Sequence, residues 1–437
     1  MKEMRMVSTQ PRSAIDKWLK TAGYTYLALP NIIFLLGWLR PELALPAVGA
    51  VIYGLYCAIK SENGNWAFEL NKCNLRIIIL SVLALTVWVF LSGIGAFSFQ
   101  NGDHLYRNAV LKDLVDCYWP VLYNVQLPAV EGSGTSQVFL MNYYFGFWLP
   151  AALLGKIFGV TFAFKLLFFW SLGGVLLAAY FIARYLRKFT ILIVLALILF
   201  GGLSRIVGTP LLFWRFPELT NPTLFWWPYG EYSCITGQLF WVFNQSIPAW
   251  LATTLMLNQK DGRNVVFLVV LCLIQAPPPA VGLVPIGAYY AFKVNPQAPG
   301  GVCICNYLKH KLREWCSFQN TIASIAILIF AGLFFKTNTA GSNVGLTEIV
   351  SAPNFIVTLL FEFAIFWVLI WNKENCRRPL YYIILIALLV IPFIRVGLGI
   401  DFMWKASIPP LFILTVYVVE FLMNFRRQGA SKLQQAR

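Results

Sequence analysis

The chain has 437 residues, 59% of them hydrophobic and only 12% charged, with 36 Phe, 19 Tyr and 16 Trp. Soluble globular domains carry roughly 25% charged residues, so this composition excludes a water-soluble fold and points to an integral membrane protein. The net charge of +16 is not read as a nucleic-acid footprint, because basic residues of polytopic proteins collect in cytoplasmic loops and fix orientation.

The first twenty residues, MKEMRMVSTQPRSAIDKWLK, hold five Lys or Arg and lead into no short apolar core with a small-residue cleavage site. Residues 1–21 therefore read as a retained cytoplasmic tail. Apolar runs then predict spans at about 22–39, 43–59, 77–97, 162–183, 189–203, 246–258, 264–276, 279–293, 320–336, 354–371, 380–396 and 409–424, twelve in all. Four of these, 189–203, 246–258, 264–276 and 279–293, fall short of the roughly 20 residues of a straight span. The last two suit a helical hairpin broken at Pro277, Pro278 and Pro279. The expected fold is all-α: a polytopic transmembrane helix bundle forming one domain over 1–437, with a second cytoplasmic tail at 425–437.

A further apolar stretch, Tyr143 to Val160, is read as not crossing. With the N-terminus inside, that choice places 24 of the 34 Lys and Arg in cytoplasmic segments and leaves 10 in outer loops or spans. Two large outer loops result, 98–161 and 204–245. The first ends in NYYFGFWLPAALLGKIFGV, which suits one or two interfacial helices with Tyr143, Tyr144 and Trp148 at headgroup depth. The second is dense in Trp and Phe, which serve either as an aromatic belt or as a platform for a sugar ring or lipid headgroup.

Chemistry concentrates in the first outer loop, where NGDHLYRNAVLKDLVDCYWP gathers one of the two histidines, three aspartates, an arginine and a lysine. On a helix, His104, Asn108 and Lys112 form one polar stripe, Asp103 and Arg107 pair beside it, and Leu105, Ala109, Leu111, Leu114 and Val115 fill the opposing side. Either this is a surface helix with solvated charges, or Asp103 acts as general base on an acceptor hydroxyl while the cations serve a phosphate. Later segments supply partners of the same kind: Arg205, Arg215 and Glu231 in the second loop, Asn244 and Gln245 just before a span, and Arg395, Asp401 and Lys405 in one short outer loop. Outward basic residues are the minority here, and a lipid-linked phosphate gives them a reason; anchoring to anionic headgroups or pairing with Asp401 is the other. Glu362, inside a span, is expected to face a cavity or a partner. Cys303, Cys305, His310 and Cys316 match no common zinc spacing, and a Cys117–Cys234 disulfide is supported by compartment alone.

An outward loop directly after a span, opening on an Asp and followed by a short amphipathic helix and an interfacial apolar segment, resembles the GT-C superfamily of polytopic glycosyltransferases. GDHLYRNAVLKDL is also similar to a stretch of bacterial envelope proteins with the same Asp-then-His loop. The resemblance implies Asp103 as the base, with His104 and Arg107 lining the site, and a polyprenyl-phosphate or diphosphate sugar as donor. It further implies a glycan, lipid or protein acceptor and a bacterial cytoplasmic membrane with both termini inside. The chain departs from the family in carrying two spans before the one that leads into the loop, and His104 where many relatives have a second acid. The cofactor left open is a divalent cation, Mg or Mn. Set against this enzyme are an O-antigen-type polymerase or ligase, a lipid or solute transporter, for which halves related by repeat are not visible, and a non-catalytic scaffold.

Overall fold

The computed structural model describes residues 14–61, 73–126, 136–202, 232–293, 304–338, 344–346, 359–372, 374–397 and 401–435. In chain order the helices are α1 (Ala14–Trp38), α2 (Pro41–Ser61), α3 (Leu75–Leu91), α4 (Asp103–Asp116), α5 (Leu149–Phe158), α6 (Val160–Tyr185) and α7 (Ile191–Leu199). After the second loop come α8 (Ile235–Leu257), α9 (Val265–Leu271), α10 (Pro277–Phe292), α11 (Ile304–Trp315) and α12 (Ser324–Lys336), then α13 (Ile365–Leu369), α14 (Pro379–Val390), α15 (Asp401–Ala406) and α16 (Ile408–Gln435). Two antiparallel pairs interrupt them: β1 (Leu122–Gln126) with β2 (Ser136–Leu140), and β3 (Val344–Leu346) with β4 (Ile394–Val396). The protein is thus mostly helical, as its composition predicts. The strands are the departure from an all-α expectation, and LYNVQ and SQVFL explain the first pair, being short, rich in β-branched and aromatic residues and free of glycine and proline.

α8 is the centre. Nearly every residue from Val242 to Leu257 is buried, as expected of a helix apolar on all sides, and α6, α10 and α16 pack around it. Its axis breaks at Val242 (φ −142°, ψ 37°), and Pro248 lies nearly two turns beyond. The Ser246 hydroxyl donates to the carbonyls of Gln238 and Val242 at 2.9 and 3.0 Å, satisfying acceptors that the break would orphan.

Among the described residues four helices are long and apolar enough to cross a membrane: Pro41–Ser61, Val160–Tyr185, Gln319–Lys336, which enters α12 through a π turn, and Ile408–Phe425. Their outer surfaces, and that of α3, are apolar: Leu45 and Ile52, Ile79 and Leu83, Ile325 and Leu333 are all exposed. So continuous an apolar exterior suits contact with lipid. Twelve crossings are a different matter. At about 1.5 Å per residue, α7 and α9 are about 13 and 10 Å long against a hydrocarbon core of about 30 Å, so the segments at 189–203 and 264–276 are not single spanning helices. α9 and α10 do form a pair of packed helices, but the break lies in the turn at 272–276 just before the proline triplet; Pro277 opens α10, where a missing N–H costs nothing.

The Tyr143–Val160 stretch is not one helix. It forms a 3-10 turn (Gly146–Trp148) and α5, and the chain turns at Gly159 (φ 88°) into α6. Ten residues make α5 about 15 Å long, too short to cross. Glu362 is buried against Gly202. Cys117 and Cys234 are free thiols, so no disulfide joins them.

Candidate functional site

α4 begins where the sequence places it. Gly93 and Gly95 turn the chain with φ of 81° and 83°, a conformation that costs glycine little, and Gln100 Nε2 donates to Gly93 O at 2.8 Å. The Asn101 side chain accepts from Asp103 N at 3.1 Å and donates to Phe240 O at 2.9 Å, tying the helix start to α8 just before its break.

The orientation of α4 corrects the expected stripe. His104 is only 1% exposed and Arg107 is buried with Leu111, Leu114 and Val115, whereas Leu105 is 72% exposed. His104 Nε2 lies 3.0 Å from Ser92 O, so it donates there, and its ring stacks on Phe243 at 5.8 Å. Asn108 is held by Gln100 at 2.9 Å and Lys112 is exposed. The polar face that matters is turned by about one position: Asp103, Tyr106, Arg107, Val110 and Asp113, at spacings of three and four.

That face lines a cavity of about 740 Å³. Its other walls are Tyr123 and Leu140 of the β1–β2 pair, the following Met141–Tyr144, Trp241, Val242 and Gln245 at the break in α8, and Asp401, Trp404 and Lys405 of α15. Three carboxylates are present and each has a partner. Asp103 Oδ2 meets Arg107 Nη2 at 2.8 Å, and Asp401 Oδ2 meets Lys405 Nζ at 2.7 Å. Asp113 Oδ2 accepts from the Tyr123 hydroxyl at 2.6 Å. Lys405 also donates to the Tyr144 hydroxyl at 3.3 Å, and Tyr143 and Tyr144 lie with ring centroids 4.0 Å apart.

Three buried polar atoms in this wall have no hydrogen-bond partner among the described residues: Arg107 Nη1 and Trp404 Nε1, both donors, and Gln245 Oε1, an acceptor. Such groups cost about 1–3 kcal/mol each when left unmade.

Burial and the neighbouring Arg107 push His104 below the usual histidine range, so it is neutral at pH 7. Arg107 is pulled down by burial and supported by Asp103, and remains a cation because guanidinium starts so high. Burial raises the Tyr143, Tyr144 and Tyr123 phenols, and the Asp113 hydrogen bond adds to the rise at Tyr123. All three are protonated donors at neutral pH.

Of the residues singled out in the sequence, Asp103, Arg107, Tyr143, Tyr144, Gln245, Asp401 and Lys405 meet in one cavity. His104, Asn108, Lys112, Asn244 and Arg395 do not line it: Asn244 is buried beside Gln245 in α8 rather than in a loop before a span, and Arg395 is exposed on β4. Arg205, Arg215 and Glu231 lie outside the described residues. Sequence reading passed over Asp113, Tyr123, Trp241 and Trp404. Asp113 was legible, ten residues beyond Asp103 on the same face; the others are brought in by the β pair, the helix break and α15.

Among the described residues no group of three or more His, Cys, Asp and Glu is placed to hold a metal ion. The chain matches no family model, no curated protein and no solved structure.

Proposed function

We propose that this protein is a membrane glycosyltransferase that moves a sugar from a polyprenyl-phosphate or diphosphate carrier to a cell-envelope glycan, lipid or protein. The observation that carries the reading is the cavity wall itself: two cations, three carboxylates, exposed indole at Trp241 beside Trp404, and the unpartnered Arg107 Nη1 and Gln245 Oε1. Aromatic faces suit the C–H faces of a sugar ring, Gln245 suits a sugar hydroxyl, and Arg107 and Lys405 suit phosphate oxygens.

In this reading Asp103 takes the proton of the acceptor hydroxyl as that oxygen bonds to the anomeric carbon. The bond from that carbon to the donor phosphate breaks in line, and its electron pair leaves on the phosphate oxygen, opposite Arg107 and Lys405. Asp103 keeps a side chain 48% exposed, so an acceptor reaches it, while its bond to Arg107 aims it into the cavity. In this reading the site faces outward in a multi-pass protein with both termini inside.

The test is transfer by purified protein in liposomes, supplied with a polyprenyl-phosphate sugar and read as release of the free polyprenyl phosphate. Lys405→Ala is expected to weaken donor binding several-fold with little change in turnover of bound donor, whereas Arg395→Ala, outside the cavity, changes neither. Equal effects of the two variants would reject the phosphate assignment, and absence of any transfer across the common donors would reject the enzyme.

A further inference from the structure

A second cavity, about 940 Å³, runs between α10 and α14 and is closed at one end by Phe402 and Ala406 of α15. Its walls are almost wholly apolar, including Val281, Ile383, Ile386 and Val390. From Val281 to Lys293 the lined length is about 18 Å at about 1.5 Å per residue. One leaflet of a roughly 30 Å hydrocarbon core is about 15 Å deep. The groove is therefore the length of one lipid chain in one leaflet.

The end away from α15 is marked by charge. Lys293 lies there, half-buried, with its ammonium 5.2 and 5.9 Å from the ring centres of Tyr290 and Tyr289. No carboxylate among the described residues pairs with it. Among the described residues, the nearby Lys311 is paired with Glu314 at 2.7 Å, and Arg378, next to groove residue Pro379, is bound through both nitrogens to Glu420 at 2.6 and 3.0 Å. Lys311 adds a second positive charge close to Lys293. The Tyr289 hydroxyl at the same rim has no hydrogen-bond partner among the described residues. A desolvated cation without an anion, beside a free phenol and an apolar slot, is half of a binding site.

We infer that this groove binds an anionic phospholipid, its phosphate between Lys293 Nζ and the Tyr289 hydroxyl and one acyl chain along α10 and α14. A zwitterionic lipid fits the slot equally well, but its choline or ethanolamine group carries a positive charge toward Lys293 and Lys311. The preference for net negative charge is therefore the signature of the site. It is independent of the glycosyltransferase reading, because neither Lys293 nor the groove contributes to the polar cavity.

The experiment uses the full chain reconstituted in vesicles of equal phosphatidylglycerol and phosphatidylcholine, extracted mildly, with co-purifying lipid counted by native mass spectrometry. The wild type is expected to retain phosphatidylglycerol over phosphatidylcholine about fivefold or more, as one lysine near the surface is worth about 1 kcal/mol toward an anionic lipid. Lys293→Gln should abolish the preference while leaving total lipid similar. Ala288→Trp, at an exposed groove position, should reduce retention of both lipids. Elution and thermal unfolding identify any variant that fails to fold. Undiminished preference in folded Lys293→Gln, or unchanged retention in folded Ala288→Trp, would overturn the assignment, as would a wild type that retains both lipids equally.

Discussion

Two buried polar regions of this protein are built in opposite ways. One joins α1, α2, the α8–α9 turn and the π turn before α12. There Asn264 Nδ2 donates to the Tyr24 hydroxyl at 3.1 Å, Gln259 Nε2 donates to the same hydroxyl at 2.9 Å, and Asn264 Oδ1 accepts from Ser61 at 3.0 Å and Gln319 at 2.8 Å. None of these side chains has a buried polar atom without a partner. The other is the cavity beside α4, where Arg107 Nη1 and Gln245 Oε1 are left open. A closed network holds helices together, because it has nothing left to offer a ligand; an open one costs stability and keeps binding capacity in exchange.

Substitutions should separate the two. The largest effect is expected from Asp103→Asn, which removes a base and should lower transfer by about 10²–10⁴-fold, with a smaller loss of unfolding temperature because buried Arg107 keeps a neutral acceptor but loses its counter-charge. Full activity in the folded variant would strip Asp103 of its role and turn attention to Asp113. Asn264→Leu should act the other way round, costing about 1–3 kcal/mol for each group it strands and reducing yield of folded protein, while the surviving fraction turns over normally. If it impaired turnover without destabilising, the closed network would not be a structural clasp.

Gln245→Leu sharpens the contrast further. The substitution removes an acceptor with no partner together with the amide that hydrogen-bonds the Tyr144 hydroxyl, so stability should change little, yet transfer should fall about tenfold, the loss of about 1.4 kcal/mol of transition-state contact. Unchanged transfer in folded Gln245→Leu would remove Gln245 from the site. The smallest effect concerns His104. Its folded pKa is depressed, so below pH 6.5 the unfolded chain binds a proton that the folded chain does not, and stability falls as pH falls. His104→Gln is expected to flatten the unfolding temperature between pH 7 and 5.5 relative to wild type. A variant that retains the full slope would assign it to other groups.

The helix at Asp103 was legible because Asn101 and Gly102 punctuate its start and its charges recur at helical spacing. Its rotation was not. Taking His104, Asn108 and Lys112 as the polar face assumes that polar residues turn to water, but His104 finds a carbonyl at Ser92 and a ring at Phe243, both supplied by other parts of the chain. Buried partners override amphipathic pattern, and they cannot be read from the helix alone. Span number failed for a related reason: apolar runs mark burial as readily as they mark lipid contact, and α9 is a short, mostly buried helix while α7 is a short helix buried on one side only.

Composition by itself pointed to a protein apolar enough for a membrane, since 12% charge is about half that of a soluble domain, and the length of the apolar runs pointed to helices. The pairing of Asp103 with Arg107 was likewise local, set by a spacing of four. Only the tertiary structure decided that Tyr143, Tyr144, Gln245, Asp401 and Lys405 share one cavity with that pair. Their convergence depends on the break at Val242, the turn at Gly159 and the placement of α15, which are fixed by packing between segments up to about three hundred residues apart. Spacing within a helix is written in the sequence; distance between helices is set by what fills the space.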